Sequence, residues 1–572
     1  MKEILIINLT RMGDLLQTTP LMAGLKEMHH GSRITLLVNS AFTEICRGIP
    51  LFDDLIVFDM MEYRRRLVEK KHSLVENYRF LEDLISHINS REYDLTINIT
   101  HSPVSAILTS FIRTREIRGF TIDSEGHRVI KHPWMRYFFN VIPNRIYNPF
   151  HIVDMYLKIG GVRPEINGLL YAAQDDDKKR ASLMLETKGI REGNMLIGFH
   201  LGASKGEKTW PVTSYAELAD MITGYYGATI LLFGSAGETD LAEEFEMHAI
   251  SKPVNYVGKT NIGELASLVQ KCRLFISNDT GPLHIATSAG TKVIDISTAN
   301  VHFMETGPYG EGHYVLQADL PCVPCGFDVQ CNNRICKSLI KPEHVFAVVK
   351  EALEGGGKLS LSDSSAWKDV QVYRAHFRDD GYLGFKPLVR HPLRKEILYR
   401  ILYRGVWNMD PAPLNGNTRR LYENICREIS DYGQASDLNE MMLSIRDEMN
   451  TMANLVRLSE EGAKYIRLIA EETAKDDMNI DNIKDLWSHV GPIESEIDLI
   501  GHTHPCFRPL ILIYLYEKEA LEGHDLRILS EASCTIYADL MTRSKNMLEM
   551  MKTIVPMLED ISQGNTIEMT AQ

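Results

Sequence analysis

The feature that most constrains this chain is a rhythm of short apolar runs separated by amphipathic stretches, carried through twice. The first pass reads EILIINL, RITLLVN, DLIVFD and YDLTINIT, with helical spacing in between, as in LVENYRFLEDLISHI. Strands that are apolar almost throughout, rather than at alternate residues, belong to a parallel sheet covered on both faces. The rhythm breaks near residues 165–193, at GVRPEINGLL and the acidic QDDDKKR. It restarts with MLIGFHLG, ATILLFGS, RLFISND and TKVIDIS. The chain is therefore read as α/β, with two doubly wound units in tandem over residues 1–165 and 190–355. Such units bind ligands at the carboxyl ends of their strands, and two in tandem place a cleft between them.

A chain of 572 residues exceeds what one core can bury, and the remainder changes character. EGGGKLSLSDSS is a linker by composition, and residues 356–414 are read as that linker followed by a hairpin turning at Asp379-Asp380-Gly381. Residues 415–572 are rich in Met, Leu and Glu at helical spacing, a helical extension of several long helices.

Chemistry concentrates at the strand ends. In NLTRMGDLLQTTP, Gly13 permits a tight turn and Asp14 opens a helix. Read alone, Asp14 is a helix-capping residue; read as chemistry, it is a carboxylate placed to take a proton from a substrate hydroxyl. HLGASKGEKTWP offers Ser204 and Lys208 in a glycine-containing loop suited to a diphosphate, although two exposed lysines on a solvated loop are commoner. LFGSAGETD ends the next strand at Glu238, either a ribose-binding carboxylate or a favourable first-turn charge. SNDTGPLHIA follows RLFIS and brings Asp279, Thr280, Gly281 and His284 to a helix N-terminus with Pro282 in its first turn. Free amides at such a terminus suit a phosphate. Three loops of this kind at successive strand ends of one unit describe a nucleotide-diphosphate site. None of them carries the fingerprint of a P-loop or of a dinucleotide-binding turn.

RMGDLLQTTP, HLGAS with KTWP, and NDTGPLHIA resemble, in order and spacing, the motif set of glycosyltransferase family 9, the heptosyltransferases of lipopolysaccharide inner-core synthesis. The resemblance runs from residue 1 to roughly 355. It implies a GT-B fold of two Rossmann-like domains, with the acceptor on the first and the nucleotide sugar on the second. It also implies inverting, metal-independent transfer of a heptose from an ADP-sugar to a hydroxyl. Position by position, Asp14 matches the catalytic base, and Gly13 stands beside it at the donor. Ser204 and Lys208 match the diphosphate contacts, and Asp279, Thr280, Gly281 and His284 match the donor loop. Glu238 falls near the ribose carboxylate. His101, in NITHSPVSA, lies at a strand end on the acceptor side.

The family pattern does not account for residues 360–572. The extension keeps three acceptor-side readings open: a lipid-linked glycan, a protein acceptor held by the helices, or an assembly role on a retained fold. A Met-rich helical face also suits homo-oligomer contacts. The net charge of -14 argues against nucleic acid as a partner. MKEILIINLTRMGD does not read as a signal peptide, and PLILIYLY is too short to span a bilayer. The expectation is a cytoplasmic protein with no transmembrane segment, with peripheral contact at the inner face of the membrane left open.

CVPCGFDVQCNNRIC places Cys322, Cys325, Cys331 and Cys336 within fifteen residues. That spacing favours a structural tetrahedral thiolate site, zinc first and iron second, over reduced free thiols or a redox pair.

Overall fold

The computed structural model describes residues 1–69, 72–165, 167–327, 329–356, 359, 364–409, 418–432 and 438–562. The chain forms two compact units: residues 1–122 with 150–389, and residues 123–149 with 390–572.

The first unit holds two sheets. In the first sheet β1 (Glu3–Asn8), β2 (Arg33–Asn39), β3 (Asp54–Phe58), β4 (Leu95–Asn98) and β5 (Ile117–Ile122) lie in the order β3-β2-β1-β4-β5. All neighbours there are parallel. Ile4, Leu5, Ile6 and Ile7 are all fully buried, as strands covered on both faces require. A further strand, β6 (Arg128–Lys131), belongs to the segment 123–149, which packs with the second unit although it interrupts the first in chain order.

The second sheet comprises β7 (Leu196–His200), β8 (Thr229–Phe233), β9 (Val254–Asn255), β10 (Leu274–Ser277), β11 (Val293–Ser297), β12 (Tyr314–Ala318), β13 (Val370–Phe377) and β14 (Leu383–Pro387). Its order is β14-β13-β12-β11-β10-β7-β8-β9. The strands from β7 to β12 pair in parallel, and the β13–β14 hairpin adds two antiparallel strands at the β12 edge.

Strand order reverses beside β1 in the first sheet, between β2 and β4, and beside β7 in the second, between β8 and β10. Loops leaving adjacent strands at such a point go to opposite faces and leave a crevice at the carboxyl ends. The turn with Gly13 and Asp14 leaves β1, the loop with Lys208 leaves β7, and Asp279 follows β10. Topology thus delivers these motifs to the two switch points.

The second unit is helical. Leu438–Thr473 and Leu526–Ser562 pack along each other, with Ile480–Thr503 beside them. The buried residues of the first of these, among them Leu438, Met442, Ile445, Met452, Leu455, Ile466 and Ile469, recur at steps of three and four, forming one apolar stripe. Met442, Met452, Met547, Met550 and Met551 are all buried in this unit, so much of its methionine serves its own core. Among the described residues no helix is long and apolar enough to cross a membrane.

Candidate functional site

Asn8, fully buried at the end of β1, shapes the first turn. Its Nδ2 donates to Thr18 Oγ1 at 2.8 Å and to the Asp14 carbonyl at 3.2 Å, while its Oδ1 accepts from the Thr10 amide at 3.2 Å. The helix Met12–Gln17 is capped by Arg11, so Asp14 is its third residue rather than its cap. Asp14 is half-buried, and its Oδ2 accepts from the Arg11 amide at 3.2 Å.

The loop after β7 is fastened from below. Asn278 Nδ2 donates to the carbonyls of Leu201 and Gly202, each at 3.0 Å, and its Oδ1 accepts from the Trp210 amide at 2.9 Å. Trp210 is itself fully buried and donates from Nε1 to the Ile340 carbonyl at 2.7 Å. Thr298 Oγ1 donates to the Lys208 carbonyl at 2.9 Å. With its backbone held, Lys208 places Nζ 4.0 Å from Asp279 Oδ2 in a largely buried pair. Ser204 lies on the exposed rim of the same loop.

Glu238 and His200 form a second charged element, with Nε2 3.4 Å from Oε1. Oε2 accepts from the Ser235 amide at 2.6 Å and hydroxyl at 2.9 Å. Burial pushes the Glu238 carboxyl up, but the hydrogen bond and charge of His200, together with Ser235, hold it down to about 2. His200 Nδ1 faces Thr280 Oγ1 at 3.3 Å and Ser277 Oγ at 3.4 Å, linking β7 to the end of β10. A Cβ on Gly202 would fall 1.6 Å from Glu238 Oε1, so only glycine leaves room for this carboxylate.

The helix Gly281–Ser288 follows, with Thr280 extended at its cap and Pro282 in its first turn. Thr280 Oγ1 is engaged inward by His200, Ser277 and the Asn278 carbonyl. His284 is buried with Nδ1 unpartnered, and burial lowers its pKa against the opposing charges of Asp279 and Asp14. Its ring meets the first turn: a Cβ on Gly13 would lie 2.8 Å from His284 Cδ2, and one on Gly281 would lie 2.4 Å from Met12 Cε. Nearby His151 is buried, with Nε2 3.0 Å from the Gly307 carbonyl and Nδ1 accepting from the Val153 amide at 3.2 Å; burial drives it down to about 3.

The structure therefore brings Gly13 and Asp14 of one sheet against Gly281 and His284 of the other, with Lys208 and Asp279 adjoining. His101 lies in the segment that follows β4, its ring 5.5 Å from that of Phe120. Sequence reasoning passed over His200, Gly202, Asn278 and Asp295. The clearest missed signal was Asp295, a charge inside the apolar strand VIDIS.

Cys322 and Cys331 are exposed, Cys325 is half-buried and Cys336 is buried. Burial raises the Cys325 thiol, and so do Cys322, Cys336 and Cys331, which all lie near it. The donor set suits zinc or iron, but the four sulfurs are not drawn to coordination spacing. Among the described residues, the group of three ligand atoms within 4.8 Å of one another is Asp123, Glu125 and His127, on an exposed turn of the other unit.

Residues 82–335 match the model of glycosyltransferase family 9 (heptosyltransferase). The lipopolysaccharide core heptosyltransferase OpsX of Haemophilus influenzae is 26% identical over 316 residues, covering 54% of this chain and 82% of that protein. A lipooligosaccharide heptosyltransferase 2 of Campylobacter jejuni is 24% identical over 353 residues, covering 60% of this chain and 96% of that protein. Among solved structures, a family 9 glycosyl transferase from Veillonella parvula aligns with a TM-score of 0.49 and 22% identity, over 62% of this chain and 98% of that one.

Proposed function

We propose that this chain, whose residues 82–335 match glycosyltransferase family 9, moves a heptose from an ADP-sugar to a hydroxyl acceptor, with inversion and without a catalytic metal. The observation that carries the reading is the approach of the Gly13–Asp14 turn to the Gly281–His284 helix start, beside Lys208 and Asp279.

Asp14 takes the proton of the acceptor hydroxyl. That oxygen attacks the anomeric carbon as the bond to the diphosphate oxygen breaks, and ADP departs. Lys208 and the amides at the start of Gly281–Ser288 meet the charge developing on the diphosphate. Asp279 holds Lys208 in place, and Ser204 contacts the diphosphate from the loop rim. Thr280 serves the donor loop from within, through His200. Glu238, ionised throughout the working pH range, accepts from the ribose hydroxyls. His284 stays neutral at the meeting of the two turns, and His101 contributes to the acceptor side.

The acceptor is a lipopolysaccharide-type glycan, the substrate named for the relatives, and a protein acceptor bound through the helical unit is the arm to test against it. On this reading the enzyme works in the cytoplasm, at the inner face of the membrane, and the helical unit provides any homo-oligomer contact. Cys322, Cys325, Cys331 and Cys336 would hold a structural zinc or iron that pins the loop between β12 and the helix Ile335–Leu339.

Incubation with ADP-heptose and a truncated core glycan, against UDP- and GDP-sugar controls, tests the function. Release of ADP coupled to glycan heptosylation supports it; release of UDP or GDP alone, or no turnover with any donor, overturns it. Heptosylated protein without heptosylated glycan reassigns the acceptor.

A further inference from the structure

Asp295 lies in the middle of β11 with no exposed surface, flanked by the fully buried Ile294 and Ile296. Ser297 Oγ donates to its Oδ2 at 2.7 Å, while Oδ1 has no hydrogen-bond partner. Full burial and an oxygen without a hydrogen bond disfavour an ionised carboxylate and tolerate the neutral acid.

Its neighbours make the position functional. Asp295 stands in register opposite Ser277, two residues before Asp279. Thr298, three residues further along, fixes the Lys208 carbonyl. The titratable groups that reach it are Asp279 after β10, Lys208 in the loop after β7, and Tyr215 on the helix Val212–Tyr226. The Tyr215 hydroxyl is itself buried and unpartnered.

Two carboxyls thus face one ammonium, which sits 4.0 Å from Asp279 Oδ2. With both ionised, the trio would present net negative charge to an incoming diphosphate. With Asp295 protonated, the trio is neutral and Lys208 can turn from Asp279 to the phosphates.

Resting on the reading of Lys208 and Asp279 as the diphosphate site, we infer that Asp295 is a positioning residue that works as a neutral acid and keeps Lys208 available to the departing nucleotide diphosphate. Burial first, and the Asp279 charge second, raise the Asp295 carboxyl well above its ordinary range, outweighing Ser297 and Lys208. The sign follows. The protonated form binds the diphosphate, so affinity is full below the pKa of the free protein and falls as pH rises through it.

Calorimetric titration with ADP tests this from about pH 7.5, above the phosphate ionisation near 6, to about pH 9.5. Native affinity falls by up to about tenfold per pH unit, with proton uptake on binding read from buffers of different ionisation heat. Asp295→Asn, a neutral isostere that keeps Lys208, lacks this fall and exceeds the native affinity at the top of the range. Superimposed pH profiles overturn the inference. So does an Asn variant that melts like the native protein yet binds ADP at least tenfold more weakly at every pH, because the ionised form was then needed. If the variant does not fold, the native protein alone decides: absence of proton uptake overturns the proposal. No ADP binding by the native protein at any pH is a different result, and removes the diphosphate reading beneath it.

Discussion

Gly202→Ala tests how the nucleotide end of the site is built. The added methyl would sit 1.6 Å from Glu238 Oε1 and 2.6 Å from its Cδ, so the carboxylate must retreat. Retreat breaks the 3.4 Å contact with His200. The fall of the Glu238 pKa from 4.5 to about 2 corresponds, at about 1.4 kcal/mol per pH unit, to roughly 3 kcal/mol of preference for the ionised group in the folded protein. The side chain keeps 23% exposure, so solvent screening brings that to roughly 2 kcal/mol. The expected result at pH 7 is a fall of about 3–6 °C in the melting of the α/β unit. A depressed acid stabilises above its unfolded pKa and loses that contribution as pH falls, so the native advantage shrinks between 4.5 and about 2. In a Glu238→Ala background the methyl strikes nothing, and Gly202→Ala then costs almost nothing more. Scanning calorimetry of the two single variants and the double variant reads this directly. A Gly202→Ala protein that melts like the native one, or a double variant whose losses simply add, refutes the reasoning.

Asp14→Asn is expected to lower turnover by about a hundredfold or more, the usual scale for a general base, with ADP affinity within about threefold of native; equal turnover removes Asp14 from that role. Asn278→Ala leaves the Leu201 and Gly202 carbonyls and the Trp210 amide without their partner and is expected to cost about 2–4 kcal/mol by chemical denaturation, while a surface-like loss under about 0.5 kcal/mol contradicts the clamp. Asp154 is buried, accepting from Tyr309 Oη at 2.9 Å and the Leu383 amide at 3.1 Å, and desolvation lifts it from 3.8 to about 7. A raised acid stabilises the fold below its unfolded pKa and loses that as pH rises to the folded pKa, so Asp154→Asn should melt higher than native at pH 8 and lose that gain by pH 4; a variant less stable at both would show that the carboxylate works ionised. Elemental analysis is expected to find about one zinc or iron per chain, lost in Cys325→Ser with a lower melting temperature, and metal-free native protein of equal stability removes that centre.

How much was legible follows from the physics of each element. Parallel strands buried on both faces must be apolar at nearly every position, which is why β1, β2, β7 and β10 stand out in EILIINL, RITLLVN, MLIGFHLG and RLFISND. Glycine, proline and charge at the ends of those strands mark turns and candidate anion sites through local backbone chemistry, so the strand-end positions of Gly13, Asp14, Lys208 and Asp279 are legible without coordinates. Asn278 and His200 were missed because their work is cross-strand. Asn278 beside Asp279 looks like part of one turn, and its role exists only because β7 lies next to β10. The helical unit was visible as Met- and Leu-rich periodicity. That its methionines would be buried, and that residues 123–149 would pack with residues 390–572, was not.

The sequence by itself determined the α/β class, the helical extension and which residue types stand at the strand ends, because these depend on patterns within a few turns of chain. Tertiary structure decided the rest. It set the strand orders that place the switch points beside β1 and β7, the meeting of Gly13 with His284, the Glu238–His200 pair in the space left by Gly202, and the burial of Asp295 behind Lys208. Each of those is a distance between residues far apart in sequence, and a pattern of residue types carries no distances until the sheets are assembled.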